Sequence, residues 1–374
     1  MELDLTPDQE DLRDNVRSVL AEVCPMTFVR EITEQGSSST PVWSQMVELG
    51  WPALTVPEDL GGLGLGPVEL ALVLEEMGRV VAPGPFLATT TQFLPAVLEL
   101  GTADQRARFA GAVAEGSPGT LALFEPTGGL SLHGLTTTAT ETADGLVLDG
   151  EKVYVANAAE ADEIVVVARL AGGEPDALAA CVVARSDLVV EPISPFDRTR
   201  PLARIVLDGV AVPADRVLGT PGTATTLGVQ RVVHHAAAGV AMESVGTCQS
   251  IFDITLDYAK QREQFGVPIG SFQAVKHKFA DMVIALEKAR ATSYFAALTL
   301  AEDDARRELA TSSAKVASAD CEKLMSKEGI QLHGGIGYTW EHDMHLYVRR
   351  AKSDTLFFGG PGEHRERVAR ALGL

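Results

Sequence analysis

Apolar residues recur three and four apart from Thr6 to about Gly116, as in PVWSQMVELG (41–50) and PVELALVLEEMGRVV (67–81), and this spacing predicts amphipathic helices. Pro67 suits a first helical turn after GGLGLG (61–66). No strand precedes that glycine run and no lysine follows it, so it reads as a flexible connector rather than a phosphate loop. From about Ser117 to Pro221 the texture changes to short β-rich runs, among them LTTTATE, GLVLDGEKVYV, EIVVVARL, AACVVAR and RIVLDGVAV. Asp149-Gly150 between two such runs predicts a hairpin, and strands at this spacing without intervening helices predict a compact antiparallel barrel or sandwich. After Pro221 helical spacing returns. Val245, Cys248, Phe252, Thr255 and Ala259 share one face, and Phe272, Val275, Phe279, Met282 and Leu286 share the next. Further helices fit Ala305 to Gln331 and Asp343 to Phe357. The expected fold class is α+β and multidomain: a helical domain (1–116), a β domain (117–221) and a C-terminal four-helix bundle (222–374) with apolar faces left for other subunits.

Composition narrows the function classes. The 374 residues are 46% hydrophobic and 22% charged, with a formal net charge of −20. That charge repels nucleic acid and anionic lipid, and no basic patch offsets it, so neither is an expected partner. An anionic ligand would need a few placed arginines and backbone amides. The acidic start and the lack of an apolar run near the roughly 18 residues of a membrane helix give the expectation of a soluble cytoplasmic protein. Cys24, Cys181, Cys248 and Cys321 are too scattered for a metal knuckle or redox pair and read as buried reduced thiols.

No metal or nucleophile pattern emerges. His342 and His345, with Glu341 and Asp343 nearby, lack metal-site spacing and read as an exposed polar helix start, while His234 and His235 are adjacent and diverge on a helix. No G-x-S-x-G elbow exists. Two stretches remain. QREQFGVPIGSFQ (261–273) puts Arg262 and Phe265 at a tight glycine turn before a helix, and QLHGGIGY (331–338) ends a helix in glycines. An arginine fork holds a pyrophosphate, and glycines let backbone N–H groups approach a nucleotide. By themselves both stretches also fit plain inter-helix turns.

Taken together, they resemble the R-x-x-F-G-x-P-I-x-x-F-Q and Q-x-x-G-G-x-G-Y motifs of the acyl-CoA dehydrogenase family. LGWPALTVPEDLGGLG (49–64) and the β-domain series extend the likeness over nearly the whole chain. The resemblance implies FAD between β domain and helical bundle, a CoA thioester against the flavin, and oxidation of its α,β bond. It also implies a glutamate that removes the α proton, a base worth roughly 10²- to 10⁴-fold in rate.

That base is missing. In DTLFFGGPGEH (354–364) Phe358 stands at the glutamate position, and the alternative position on an earlier helix is Gln230, before Arg231. The T-E-P-x-x-G-S-D flavin loop reads Phe124-Glu125-Pro126-Thr127-Gly128-Gly129-Leu130-Ser131, and the W-I-T-N strand reads Tyr154-Val155-Ala156-Asn157. The lost hydroxyls and added bulk imply a closed flavin pocket. By contrast Arg262, Phe265, Gln273, Gln331, Gly334 and Gly335 match the residues that, in the family, reach across a dimer interface to hold the neighbour's FAD. The expectation is a chain without catalytic residues that resembles the partner subunit of actinobacterial α₂β₂ acyl-CoA dehydrogenases acting on steroid side-chain CoA thioesters. It would share FAD with a paralogous catalytic subunit that passes electrons to an electron-transfer flavoprotein or similar acceptor. Two alternatives stay open: a homotetrameric flavoprotein dehydrogenase, oxidase or monooxygenase with Glu243 or Glu363 as a displaced base, and a flavin-free scaffold.

Overall fold

The computed structural model describes residues 5–374. In chain order it runs through α1 (Pro7–Val23), α2 (Met26–Gln35), α3 (Thr40–Glu48), α4 (Pro67–Arg79), α5 (Phe86–Ala88), α6 (Leu94–Leu100) and α7 (Ala103–Ala114). The strands β1 (Gly119–Ala122), β2 (Thr138–Glu141), β3 (Gly145–Ala156), β4 (Glu163–Leu170), β5 (Leu178–Ala184), β6 (Val189–Ile193) and β7 (Leu202–Pro213) follow. Then come α8 (Thr223–Gln261), the hairpin strands β8 (Glu263–Gln264) and β9 (Val267–Pro268), α9 (Gln273–Ala301), α10 (Arg307–His333), α11 (Met344–Leu356) and α12 (Pro361–Ala371). This is a helical N-terminal region, a central curled sheet and a C-terminal helical domain, as the apolar spacing predicts. Among the described residues no helix is long and apolar enough to cross a membrane.

One compact unit comprises residues 37–66 and 83–236. Its sheet has the order β1-β4-β2-β3-β7-β6, with β5 also on β4. Most pairings are antiparallel, but β1 and β2 each pair parallel with β4. The alternating residues Ala139, Leu148, Ile164, Val166, Cys181 and Ile205 form its buried layer. Asp149-Gly150 is not a hairpin. Strand β3 continues through it with a bulge, Gly150 has φ +144°, and a Cβ there would stand 2.7 Å from Thr137. Asp149 accepts a hydrogen bond from the Gly209 N–H at 2.9 Å, so the turn chemistry serves a kink between β3 and β7. The GGLGLG run is likewise no flexible connector, because N–H groups of Gly62, Leu63, Gly64 and Leu65 bond back to carbonyls of Pro57, Ala53, Val56 and Leu54.

The other unit comprises residues up to 36, 67–82 and 237–374. Thr6 and Gln9 form a reciprocal capping box that starts α1. Helices α4 and α8 cross almost backbone to backbone. A Cβ on Gly78 would lie 2.0 Å from the Glu243 carbonyl oxygen, and one on Gly246 only 1.8 Å from that of Glu75. Helices α8, α9 and α10 then alternate in direction, so the end of α8, the start of α9 and the end of α10 gather at the same end of the bundle. Phe272 departs from the expected apolar face, since it is the N-cap of α9 and remains partly exposed.

Candidate functional site

The loop after β1 carries the residues expected to meet a flavin. Glu125 is buried there and accepts hydrogen bonds from Lys152 Nζ (2.7 Å), Thr136 N (2.6 Å), Thr136 Oγ1 (2.7 Å) and Thr137 N (3.0 Å). Burial alone would raise its pKa, but the Lys152 charge and these donors bring it down to about 2. Lys152 also donates to the Leu123 carbonyl at 3.1 Å. The glutamate therefore anchors the loop internally. Leu130 folds inward and is 3% exposed, and the loop encloses a cavity of about 100 Å³ lined by its own residues 123–135. That is room for roughly three waters within the loop itself. Tyr154 points outward at φ +56° beside a register shift in β3, and Asn157 spends its side-chain N–H on Glu160. Gln230 is exposed on α8 in the same unit, while Arg231 lies 3.5 Å from Glu99.

In the helical unit, Phe358 follows α11 and is 1% exposed, its ring edge-on to Phe357 with centroids 4.9 Å apart. Its φ of +55° is a rare conformation for a bulky residue. Neighbours hold it there. Lys315 Nζ donates to the carbonyls of Asp354 (2.6 Å) and Phe357 (2.9 Å), and His364 Nε2 donates to the Phe358 carbonyl at 2.9 Å. The turn thus survives around a hydrocarbon side chain. Both alternative candidates are engaged in the fold. Glu243 is buried against Arg350 at 2.6 Å, and Glu363 accepts the Gly360 N–H at 3.0 Å to start α12.

The expected nucleotide-holding residues look different. Arg262, Phe265, Gln273, Gln331, Gly334 and Gly335 are all exposed. Phe265 and Gly266 form the two-residue turn between β8 and β9, at φ +56° and +80°, and the Phe265 ring is 94% exposed. Such turns favour Asn-Gly, so a phenylalanine there is strained and unburied. Among the described residues, none gives the Arg262, Gln273 or Gln331 side chain a hydrogen-bond partner. The stretches meet through Tyr258, whose carbonyl accepts the Arg262 N–H at 2.8 Å and whose ring stacks on His333 at 4.5 Å. Lys278 and Glu328 pair the start of α9 with the end of α10.

Sequence reasoning missed Tyr258, His333, Lys315 and His364. The first two had a signal, one helical turn before Arg262 and directly before Gly334. The last two, which fix the Phe358 turn from α10 and α12, had none. His342 and His345 are not an exposed polar start: both are half-buried, with His342 edge-on to His333 at 4.6 Å and His345 donating from Nδ1 to the His342 carbonyl at 2.8 Å.

Comparison with known proteins agrees over the full length. Family models described as the N-terminal, middle and C-terminal domains of acyl-CoA dehydrogenase match residues 6–117, 120–210 and 227–373. Acyl-CoA dehydrogenase IpdE2 of Mycobacterium tuberculosis is 32% identical over 97% of this chain and 98% of its own length. Acyl-CoA dehydrogenase FadE34 of the same organism is 36% identical over 90% of this chain, which spans 43% of that longer relative. Among solved structures, the ChsE4-ChsE5 complex from Mycobacterium tuberculosis superposes with a TM-score of 0.89 at 26% identity, covering 100% of this chain and 99% of that one. A Tcur3481-Tcur3483 steroid ACAD variant gives a TM-score of 0.86 at 29% identity over 98% of both chains. Butyryl-CoA dehydrogenase from Megasphaera elsdenii gives 0.93 at 25% identity over 100% of both. With its three domains matched in order and a relative aligned end to end, the chain belongs to the acyl-CoA dehydrogenase family.

Proposed function

We propose that this chain is the non-dehydrogenating subunit of a heteromeric acyl-CoA dehydrogenase and completes the FAD site of a catalytic partner subunit. The observation that carries the reading is the contrast between two sets of residues. The loop for a flavin of its own is filled by Leu130 and knotted on Glu125, whereas Phe265 stands bare on a strained hairpin beside unpartnered Arg262, Gln273 and Gln331. FAD, when bound, supplies the oxidation of the α,β carbon–carbon bond. This chain's part would be to hold the nucleotide portion: the Arg262 fork would face the pyrophosphate, and the two glutamines and the glycine N–H groups at 334–335 would donate to the nucleotide.

Similarity to the ChsE4-ChsE5 complex and to the Tcur3481-Tcur3483 steroid ACAD supports a two-chain assembly of α₂β₂ type acting on a steroid side-chain CoA thioester. An electron-transfer flavoprotein or similar carrier is the acceptor expected of the partner. The displaced-base reading has less support, because Glu243 and Glu363 are both engaged in the fold.

The test is to express the chain alone and together with the acyl-CoA dehydrogenase encoded beside it, then measure mass and flavin content. Little flavin alone and one FAD per two chains in the complex are expected. In the complex Arg262→Ala should lower FAD retention. A yellow, active isolated chain would refute the proposal.

A further inference from the structure

Resting on that reading, we propose that His333, clasped as a neutral imidazole between Tyr258 and His342, is the positioning residue that aligns the two halves of the nucleotide cradle, and that protonating this stack releases FAD. The halves lie far apart in the chain. One is the hairpin after α8 with Arg262 and Phe265, the other the turn Gly334–Tyr338 after α10. Both contain glycine at positive φ, Gly266 and Gly334, and neither half fixes its own orientation toward the other. The Tyr258–His333 stack joins them. Tyr258 lies one helical turn before Arg262, and His333 immediately precedes Gly334.

The tautomer follows from the hydrogen bonds. His333 Nδ1 lies 2.7 Å from the Gly329 carbonyl and so carries the proton, which leaves Nε2 with a lone pair. That Nε2 is buried and has no hydrogen-bond partner among the described residues, and His333 as a whole is 3% exposed. His342 Nδ1 accepts the Met344 N–H at 3.1 Å, so its own proton sits on Nε2. A second proton on His333 would face no acceptor.

The surrounding charges do not favour it. Arg30 from α2 reaches in, bound to Asp343 at 2.7 Å and to the Trp340 carbonyl at 2.8 Å, and His345 from α11 adds a third imidazole. Tyr258 from α8 covers the opposite face, while Asp343 and Glu341 supply the only opposing charges on the loop before α11. Burial lowers the His333 pKa, the hydrogen bond to the Gly329 carbonyl opposes it, and the neighbouring His342 adds to the lowering. Burial lowers that of His342 too, where Asp343 works in the other direction and Arg30 and His345 add to the lowering. In mild acid the stack must open to accept a proton, and the two halves lose their register.

The experiment uses the co-purified complex and reads FAD retained after desalting at about pH 8 and about pH 5.5, on either side of the ordinary histidine range. Wild type should hold FAD at the higher pH and retain measurably less of it at the lower. His333→Phe keeps a ring in the stack and takes no proton, so it should retain FAD at both. His333→Ala and Tyr258→Leu each remove the stack from one side. Each should weaken retention about 5- to 10-fold at pH ~8, the worth of one aromatic contact. Acid release that is absent in wild type, or unchanged in His333→Phe, overturns the inference. So does full retention at high pH in both His333→Ala and Tyr258→Leu. Undiminished FAD in Arg262→Ala would instead sink the cradle reading, whatever the histidine variants do.

Discussion

Glu322→Gln tests whether the polar cluster beneath the Phe358 turn has the protonation that its burial dictates. Glu322 lies on α10 and is 2% exposed. Its Oε2 accepts the Thr355 hydroxyl at 2.6 Å, and its Oε1 has no hydrogen-bond partner among the described residues. Burial and then the neighbouring Asp354 charge raise its pKa from 4.5 to about 8, against the opposing pull of Lys315 and the Thr355 hydroxyl. Between those values the folded chain keeps a proton that the unfolded chain has lost. Stability therefore falls as pH rises through this window and is flat, for this group, below 4.5 and above 8. A gap of roughly 3.5 pH units at about 1.36 kcal/mol each gives about 5 kcal/mol at most. Glutamine keeps the shape and cannot ionise, so the loss should vanish in the variant.

His364 works in the opposite direction. Burial lowers its pKa from 6.5 to about 4, so its contribution is lost as pH falls through that range. It is common to both proteins and cancels in the difference. The assay is urea unfolding of wild type and Glu322→Gln at a series of pH values from about 5 to about 8.5, comparing extrapolated stabilities. The variant should gain steadily on wild type as pH rises, by several kcal/mol over the series. Parallel curves would refute the assignment, because they would mean that Glu322 ionises in the folded state as readily as in water.

Three further outcomes follow from the packing. Phe358→Glu should not create dehydrogenation of any CoA thioester and should lower the thermal midpoint, since it places a carboxylate in a space that is 1% exposed, a cost of at least several kcal/mol before any proton is taken up; turnover above the wild-type complex would contradict this. Glu243→Gln removes the carboxylate that pairs with buried Arg350 at 2.6 Å and should cost about 3–5 kcal/mol by denaturant unfolding, far more than Glu363→Gln at the half-buried start of α12. Arg262→Ala should leave the stability of the isolated chain within about 0.5 kcal/mol of wild type, because its side chain has no partner to lose.

The sequence carried most of the architecture because helical and strand periodicities record which face is buried, and these elements bury their faces locally. It misled at Asp149-Gly150 and at GGLGLG for a shared reason. Both are glycine sequences fixed by hydrogen bonds that composition does not reveal, from Gly209 to Asp149 in one case and back to residues 53–57 of the same loop in the other. The supports of the Phe358 turn were not legible in the sequence. Lys315 and His364 come from two different helices to hold the Phe358 turn, and no spacing in a single segment encodes such convergence.

The backbone also separates residues that pack inward from residues that await a contact. Phe265 and Phe358 are both bulky aromatics at positive φ, a conformation that costs about 1–2 kcal/mol relative to its right-handed counterpart. At Phe358 the compensation is internal: the ring is enclosed against Phe357, and Lys315 and His364 satisfy the carbonyls of the turn. At Phe265 the described residues offer far less. Its ring touches only the edge of Phe272, with centroids 6.3 Å apart, and stays 94% exposed, although asparagine would make the same turn at less cost. Under the proposed function that exposed ring is offered to a contact outside the chain. The two phenylalanines thus differ in kind, one enclosed within the fold and the other standing open, and the proposed function rests on that contrast.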